Sequence, residues 1–210
     1  MERNWIDKNP ASGLKLPKED HLPTLPFTAP EWEKILWACE VYPNKGIYGF
    51  DSWKRIRAFV LLLRYTGLRI GDVAAMRRGR IADGKLLVRR AKTKTVVHLP
   101  LPKIVLEALD VLPVQSGDYF FWSGNGLIKS SVADWQRTLR KLFPIAGIKE
   151  AHAHRFRDSF SVELLSRGVS IEIVSVLLGH SSIRITEKHY SPWVKTRQDA
   201  LEEAVKEMWA

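Results

Sequence analysis

The sequence predicts a mainly α-helical domain with a small antiparallel β-sheet, an α+β fold, on three observations. Apolar residues recur at helical spacing along most of the chain from residue 28 onward. One stretch breaks that rhythm: Ile81-Ala82-Asp83-Gly84-Lys85-Leu86-Leu87-Val88 has an Asp-Gly pair between short apolar runs, a strong local hairpin signal. Glycines then close several periodic segments, at Gly67, Gly168 and Gly179, where a left-handed residue suits a helix end.

Residues 1–27 carry Pro10, Pro17, Pro23 and Pro26 without periodicity and read as a linker or the remnant of a preceding domain. Thr28-Ala29-Pro30-Glu31 has capping-box spacing, and Trp32, Ile35, Leu36 and Cys39 follow on one face of the helix it opens. Ile56, Phe59, Val60 and Leu63 predict a second helix from Asp51 to Tyr65, stopped by Gly67, with another helical turn from Arg69 through Val73 and Met76. The hairpin comes next, and a further strand, Val96 to Leu99, ends at Pro100 after the link Ala91-Lys92-Thr93-Lys94-Thr95. Helices return at Pro102–Leu112, Ser130–Phe143, His154–Arg167 and Ser170–Leu178, followed by a short one ending near Tyr190. A last helix, about residues 196–209, carries Leu201, Ala204, Val205, Met208 and Trp209 as an apolar stripe, which should dock on its own domain or on a neighbouring subunit.

Composition narrows the function. The chain has 210 residues, 45% apolar and 27% charged, as globular domains do. Its 33 Lys and Arg against 23 Asp and Glu give a net charge of +10, which favours a polyanionic partner, with a generic basic surface as the alternative reading. A single cysteine, Cys39, excludes an internal disulfide, and neither a membrane-length apolar run nor a signal-peptide core is present, so the expected location is cytoplasmic with no membrane partner.

The residues that could carry chemistry suit attack on a phosphodiester. Such attack concentrates charge on the non-bridging oxygens, and arginine, a permanently charged planar fork, meets that need best. Arg69 follows a helix-stopping glycine, and Arg157 sits one turn after His154. Either arginine alone would be read as part of a surface ion pair. Tyr190 could be the nucleophile, given a base or a positive potential to activate a phenol of pKa roughly 10. His154 could take its proton, and His180 could donate to a phosphate oxygen; singly, each of the three is a plain helix or loop residue. Lys92 is the choice for protonating the leaving alkoxide, with Lys94 a close rival. His189 would point elsewhere, and His152 with His154 has no acidic cluster or cysteine pair to complete a metal site.

Thr66-Gly67-Leu68-Arg69-Ile70-Gly71-Asp72, Ala91-Lys92-Thr93, His154-Arg155-Phe156-Arg157, Leu177-Leu178-Gly179-His180 and His189-Tyr190 together resemble the tyrosine recombinases of the phage integrase type, over about residues 28–195. The resemblance implies that family's catalytic-domain fold over residues 28–210. It implies that Arg69 and Arg157 clamp the phosphate, Lys92 is the hairpin acid, and His154 is the base or proton relay. His180 would occupy the histidine-or-tryptophan position. Tyr190 would attack double-stranded DNA, giving a 3′-phosphotyrosyl link and a free 5′-hydroxyl, and strand exchange through a Holliday junction would follow. Neither cofactor nor metal is implied. Self-association on DNA as a synaptic tetramer and accessory DNA-bending proteins are the partners it suggests. Asp72 stands where the family commonly has glutamate, and Arg155 and Asp158 stand where it often has an acidic residue and a histidine. A linker-like segment occupies the place of the family's N-terminal helical domain, so the expectation is a catalytic-domain fragment. The alternatives weighed are a topoisomerase IB-like nicking activity and a non-cutting DNA-binding remnant.

Overall fold

Thr28 opens the first helix of the computed structural model, which describes residue 13 and residues 25–43, 52–89, 96–114, 118–180 and 182–209. Its side chain accepts from the Glu31 amide at 3.3 Å while Glu31 accepts from the Thr28 amide at 2.8 Å, so the capping box closes and α1 runs from Ala29 to Glu40. Packing begins ahead of Thr28. Phe27 is buried, its amide donates to Ser159 Oγ at 2.7 Å, and Arg155 spans Leu25, Pro26 and Glu31 while its guanidinium lies 4.2 Å over the Phe27 ring. The rest of the proposed linker, apart from Gly13, lies outside the described residues.

Helix α2 (Ser52–Thr66) is the central post. Ile56 and the whole run Ala58–Leu63 are buried, so it is enclosed on nearly all sides by α1, α4 (Lys103–Asp110) and α6 (His154–Ser166). Phe59 stacks on Trp135 with ring centroids 3.8 Å apart, and Phe121 meets both edge-on. Full burial of a side chain of that size contributes roughly 3 kcal/mol. Helix α3 (Ile70–Ala74) packs on α5 (Ile128–Ile145), which runs two residues past its predicted end at Phe143 and carries Pro144 inside its last turn.

The sheet order is β1-β2-β3, all antiparallel, with β1 Ile81–Ala82, β2 Lys85–Arg89 and β3 Val96–Pro100. Ala82 pairs with Lys85 across Asp83 (φ 50) and Gly84 (φ 68), the two left-handed residues a tight hairpin turn requires. Buried Leu86 fastens the sheet to the main core.

A second apolar cluster forms at the other end of α6. Phe160, Val162 and Leu165 meet Val174 and Leu178 of α7 (Ile171–Leu178) and Tyr190 of α8 (Ile183–Trp209). Here the sequence-based division fails: the short helix ending near Tyr190 and the separate one from about Thr196 are one continuous helix of 27 residues. Pro192 has no amide hydrogen and withholds one helical hydrogen bond, yet the helix continues through it and packs on α6 and α7. Val205, Met208 and Trp209 at its far end are exposed, so the stripe read as a docking face does not pack within the chain at these positions. Among the described residues, no helix is long and apolar enough to cross a membrane.

Candidate active site

Gly67 sets the geometry. At φ +61 it ends α2 and turns the chain so that Arg69, in extended backbone, caps α3. A Cβ at Gly67 would lie 2.5 Å from Phe160 Cδ1, so space and backbone angle both demand glycine. Its carbonyl accepts from Arg157 Nη1 at 2.6 Å, tying the turn to α6.

Arg157 is 3% exposed and crosses the gap between the two apolar clusters. Nη2 donates to the Leu178 carbonyl at 2.7 Å and lies 2.9 Å from His180 Nε2. Burial depresses its pKa and neighbouring Arg69 adds to that, while Tyr190, Asp72 and Asp158 act in the opposite sense. A guanidinium stays charged in such a place, and these bonds leave part of its donor fork for an anion. Arg69, His154 and Arg157 line one open cleft of about 550 Å³, together with His152 and with Gln136 and Arg140 of α5.

His180 follows Gly179, which closes α7 at φ 66. Its Nδ1 lies 2.8 Å from the Thr186 hydroxyl in the first turns of α8. Burial, then the charges of Arg157 and Arg69, pull its pKa down to about 4, so the ring is neutral at pH 7.

Tyr190 is 3% exposed, and its hydroxyl donates to Asp158 Oδ1 at 2.8 Å. Burial pushes the phenol pKa well above its ordinary value; the Asp158 charge adds to the rise, while Ser161 and Arg157 oppose it. His154 lies on the cleft side, its Nε2 3.7 Å from the same Asp158 oxygen. Burial lowers the His154 pKa, with Asp158 pulling the other way. The carboxylate therefore stands between the tyrosine and the histidine that the sequence reading made its base. The second Asp158 oxygen is buried without a hydrogen-bond partner.

Five of the six residues singled out from the sequence are thus gathered around Arg157 and Asp158. Lys92, the sixth, and Lys94 lie outside the described residues, in the link between β2 and β3. Thr186 was missed as part of the site, and Asp158 was noted only as a departure from the family pattern beside Arg157. The signals were present: Asp158 is one residue after Arg157 and one turn beyond His154, and Thr186 is one turn before Tyr190. Arg155 belongs to the clasp on the N-terminal segment.

Fold and site define a mainly helical domain in which two arginines and two histidines gather beside a buried tyrosine. The chain belongs to the phage integrase family, whose pattern it matches over residues 27–195. It is 32% identical over 198 residues to the tyrosine recombinase XerA of Pyrococcus furiosus, covering 90% of this chain and 64% of that one. A crystal structure of XerA recombinase superposes with TM-score 0.64 at 21% identity, covering 92% of this chain and 66% of that chain. A lambda integrase(75-356) dimer bound to a COC′ core site gives 0.59 at 23%, covering 81% and 60%. The chain spans less than two thirds of the length of each of these.

Proposed function

We propose that the chain is the catalytic part of a tyrosine-type site-specific recombinase that cuts and rejoins double-stranded DNA through a 3′-phosphotyrosyl intermediate. The observation that carries the reading is Arg157, a buried cation held by the carbonyls of Gly67 and Leu178 and set against His180, in a cleft shared with Arg69. Fixed donors of this kind stabilise charge that grows in a transition state at no reorganisation cost. Arg69 and Arg157 would take the non-bridging oxygens of one phosphate. Tyr190 Oη would form the new P–O bond as the P–O5′ bond breaks, its proton leaving through the Asp158–His154 side of the site. The departing 5′-oxygen would take a proton from Lys92, as the family resemblance implies. Attack by a 5′-hydroxyl from a partner strand reverses the step without ATP. The lambda integrase dimer on its core site supports self-association on DNA for this chain also. The net charge of +10 supports a DNA-facing surface and a site of action where DNA is, in the cytoplasm.

A second reading, a DNA-binding protein that does not cut, draws on the enclosed Tyr190 and its bond to Asp158. Detergent-resistant attachment of DNA to wild type and Tyr190→Phe separates the two. Cutting predicts attachment by wild type alone with binding nearly equal in both; binding by both with attachment by neither would favour the non-cutting reading.

A further inference from the structure

His180 sits between two partners of different character. On one side is Arg157 Nη2, 2.9 Å from Nε2; on the other is the Thr186 hydroxyl, 2.8 Å from Nδ1. A guanidinium nitrogen only donates, whereas a hydroxyl donates or accepts. A proton on Nε2 would set two donors against each other, so the lone pair must be there. The ring proton is then on Nδ1, and Thr186 Oγ1 accepts the hydrogen bond it makes. Thr186 is 0% exposed, so the contact is sheltered from bulk solvent.

We propose that Thr186 is a positioning residue that holds the single proton of neutral His180 on Nδ1. Nε2 then meets Arg157 as an acceptor and becomes a donor to a DNA phosphate only when the ring takes up a second proton from solvent. The phosphate half of this statement rests on the function proposed above; the tautomer half does not. The charged and titratable groups facing the ring are Arg157 and His154 from α6, Arg69 from the turn before α3 and His189 from α8, and positive charge on any of them adds to the cost of a second proton. A phosphate bound between Arg69 and Arg157 offsets that cost, so DNA binding and protonation of His180 should assist each other. The tautomer thus keeps Arg157 satisfied while the site is empty and links the second donor to arrival of the substrate.

The test is ¹⁵N NMR of the DNA-free 210-residue chain with labelled histidine at neutral pH, His180 being assigned by His180→Asn. The expected spectrum for wild type and Thr186→Ser is Nδ1–H with an unprotonated Nε2. Thr186→Val, which keeps the shape and loses the acceptor, should shift the population at least ten-fold toward Nε2–H. Nε2–H in the wild type, a result that needs no variant to fold, would overturn the proposal, as would an unchanged tautomer in Thr186→Val. With DNA, Thr186→Val should slow covalent attachment by about ten-fold, part of the roughly 10²–10⁴ that a positioned proton donor contributes, and Thr186→Ser should restore it. Equal rates for Thr186→Val and wild type at every pH would remove the positioning role. Attachment by none of the proteins would instead count against DNA cutting and leave the tautomer result standing.

Discussion

Asp158 is the residue that most changes the chemistry of the site. Its carboxylate accepts a hydrogen bond from the Tyr190 hydroxyl, and its charge adds to the burial that already favours the neutral phenol. Removing the charge while keeping an acceptor, as in Asp158→Asn, should lower the phenol pKa, and tyrosinate absorbance at alkaline pH reads that directly. The sign for stability follows. A phenol whose folded pKa is raised stabilises the fold fully below its ordinary pKa, and the contribution is lost as pH rises through the folded value. Asp158→Asn should therefore bring the tyrosinate signal and the alkaline loss of stability to lower pH. An unchanged titration would mean that the carboxylate has no hold on Tyr190.

At the scale of elements, the turn between α2 and α3 does most to assemble the site. Gly67→Ala would put a side chain at φ +61 and a carbon 2.5 Å from Phe160, while disturbing the carbonyl that holds Arg157. The left-handed conformation alone costs roughly 1–2 kcal/mol, and the clash adds to it. Urea unfolding should show a loss of at least about 2 kcal/mol together with weaker DNA binding. The end of α8 behaves in the opposite way. Residues 202–209 are exposed, so deleting 202–210 should move the unfolding free energy by no more than about 0.5 kcal/mol. A larger loss would mean that this end packs on the domain in solution. The same contrast explains what the sequence reading caught. Caps and glycine stops are local, and Thr28, Gly67, Gly168 and Gly179 marked them. Helix α8 was divided because Ser191-Pro192 has the local character of a stop, whereas its continuity comes from the packing of its first turns on α6 and α7.

Across the whole molecule, the cluster was legible as residue types in order, because five short motifs at those separations together resemble one family. Their partners were not. The Arg157 bonds to Gly67 and Leu178 join residues 90 and 21 positions apart, and the Tyr190–Asp158 bond spans 32, separations that no periodicity encodes. The packed segment 118–127 was missed for the same reason. Buried Phe120 and Phe121 sit there outside any regular element, held by bonds from the Phe120 amide to Met76 and from the Arg78 amide to Asp118. These long-range ties join the helical core, the cleft and the buried tyrosine into one frame. The proposed function requires that this frame serve an attack by Tyr190 on DNA, and mass spectrometry of peptides from protein trapped on fragments of its source genome shows whether it does. The predicted result is a nucleotide 3′-phosphate on the peptide bearing Tyr190, and none from Tyr190→Phe. An adduct on any other residue, or specific DNA binding by the wild type that never yields an adduct, would contradict it.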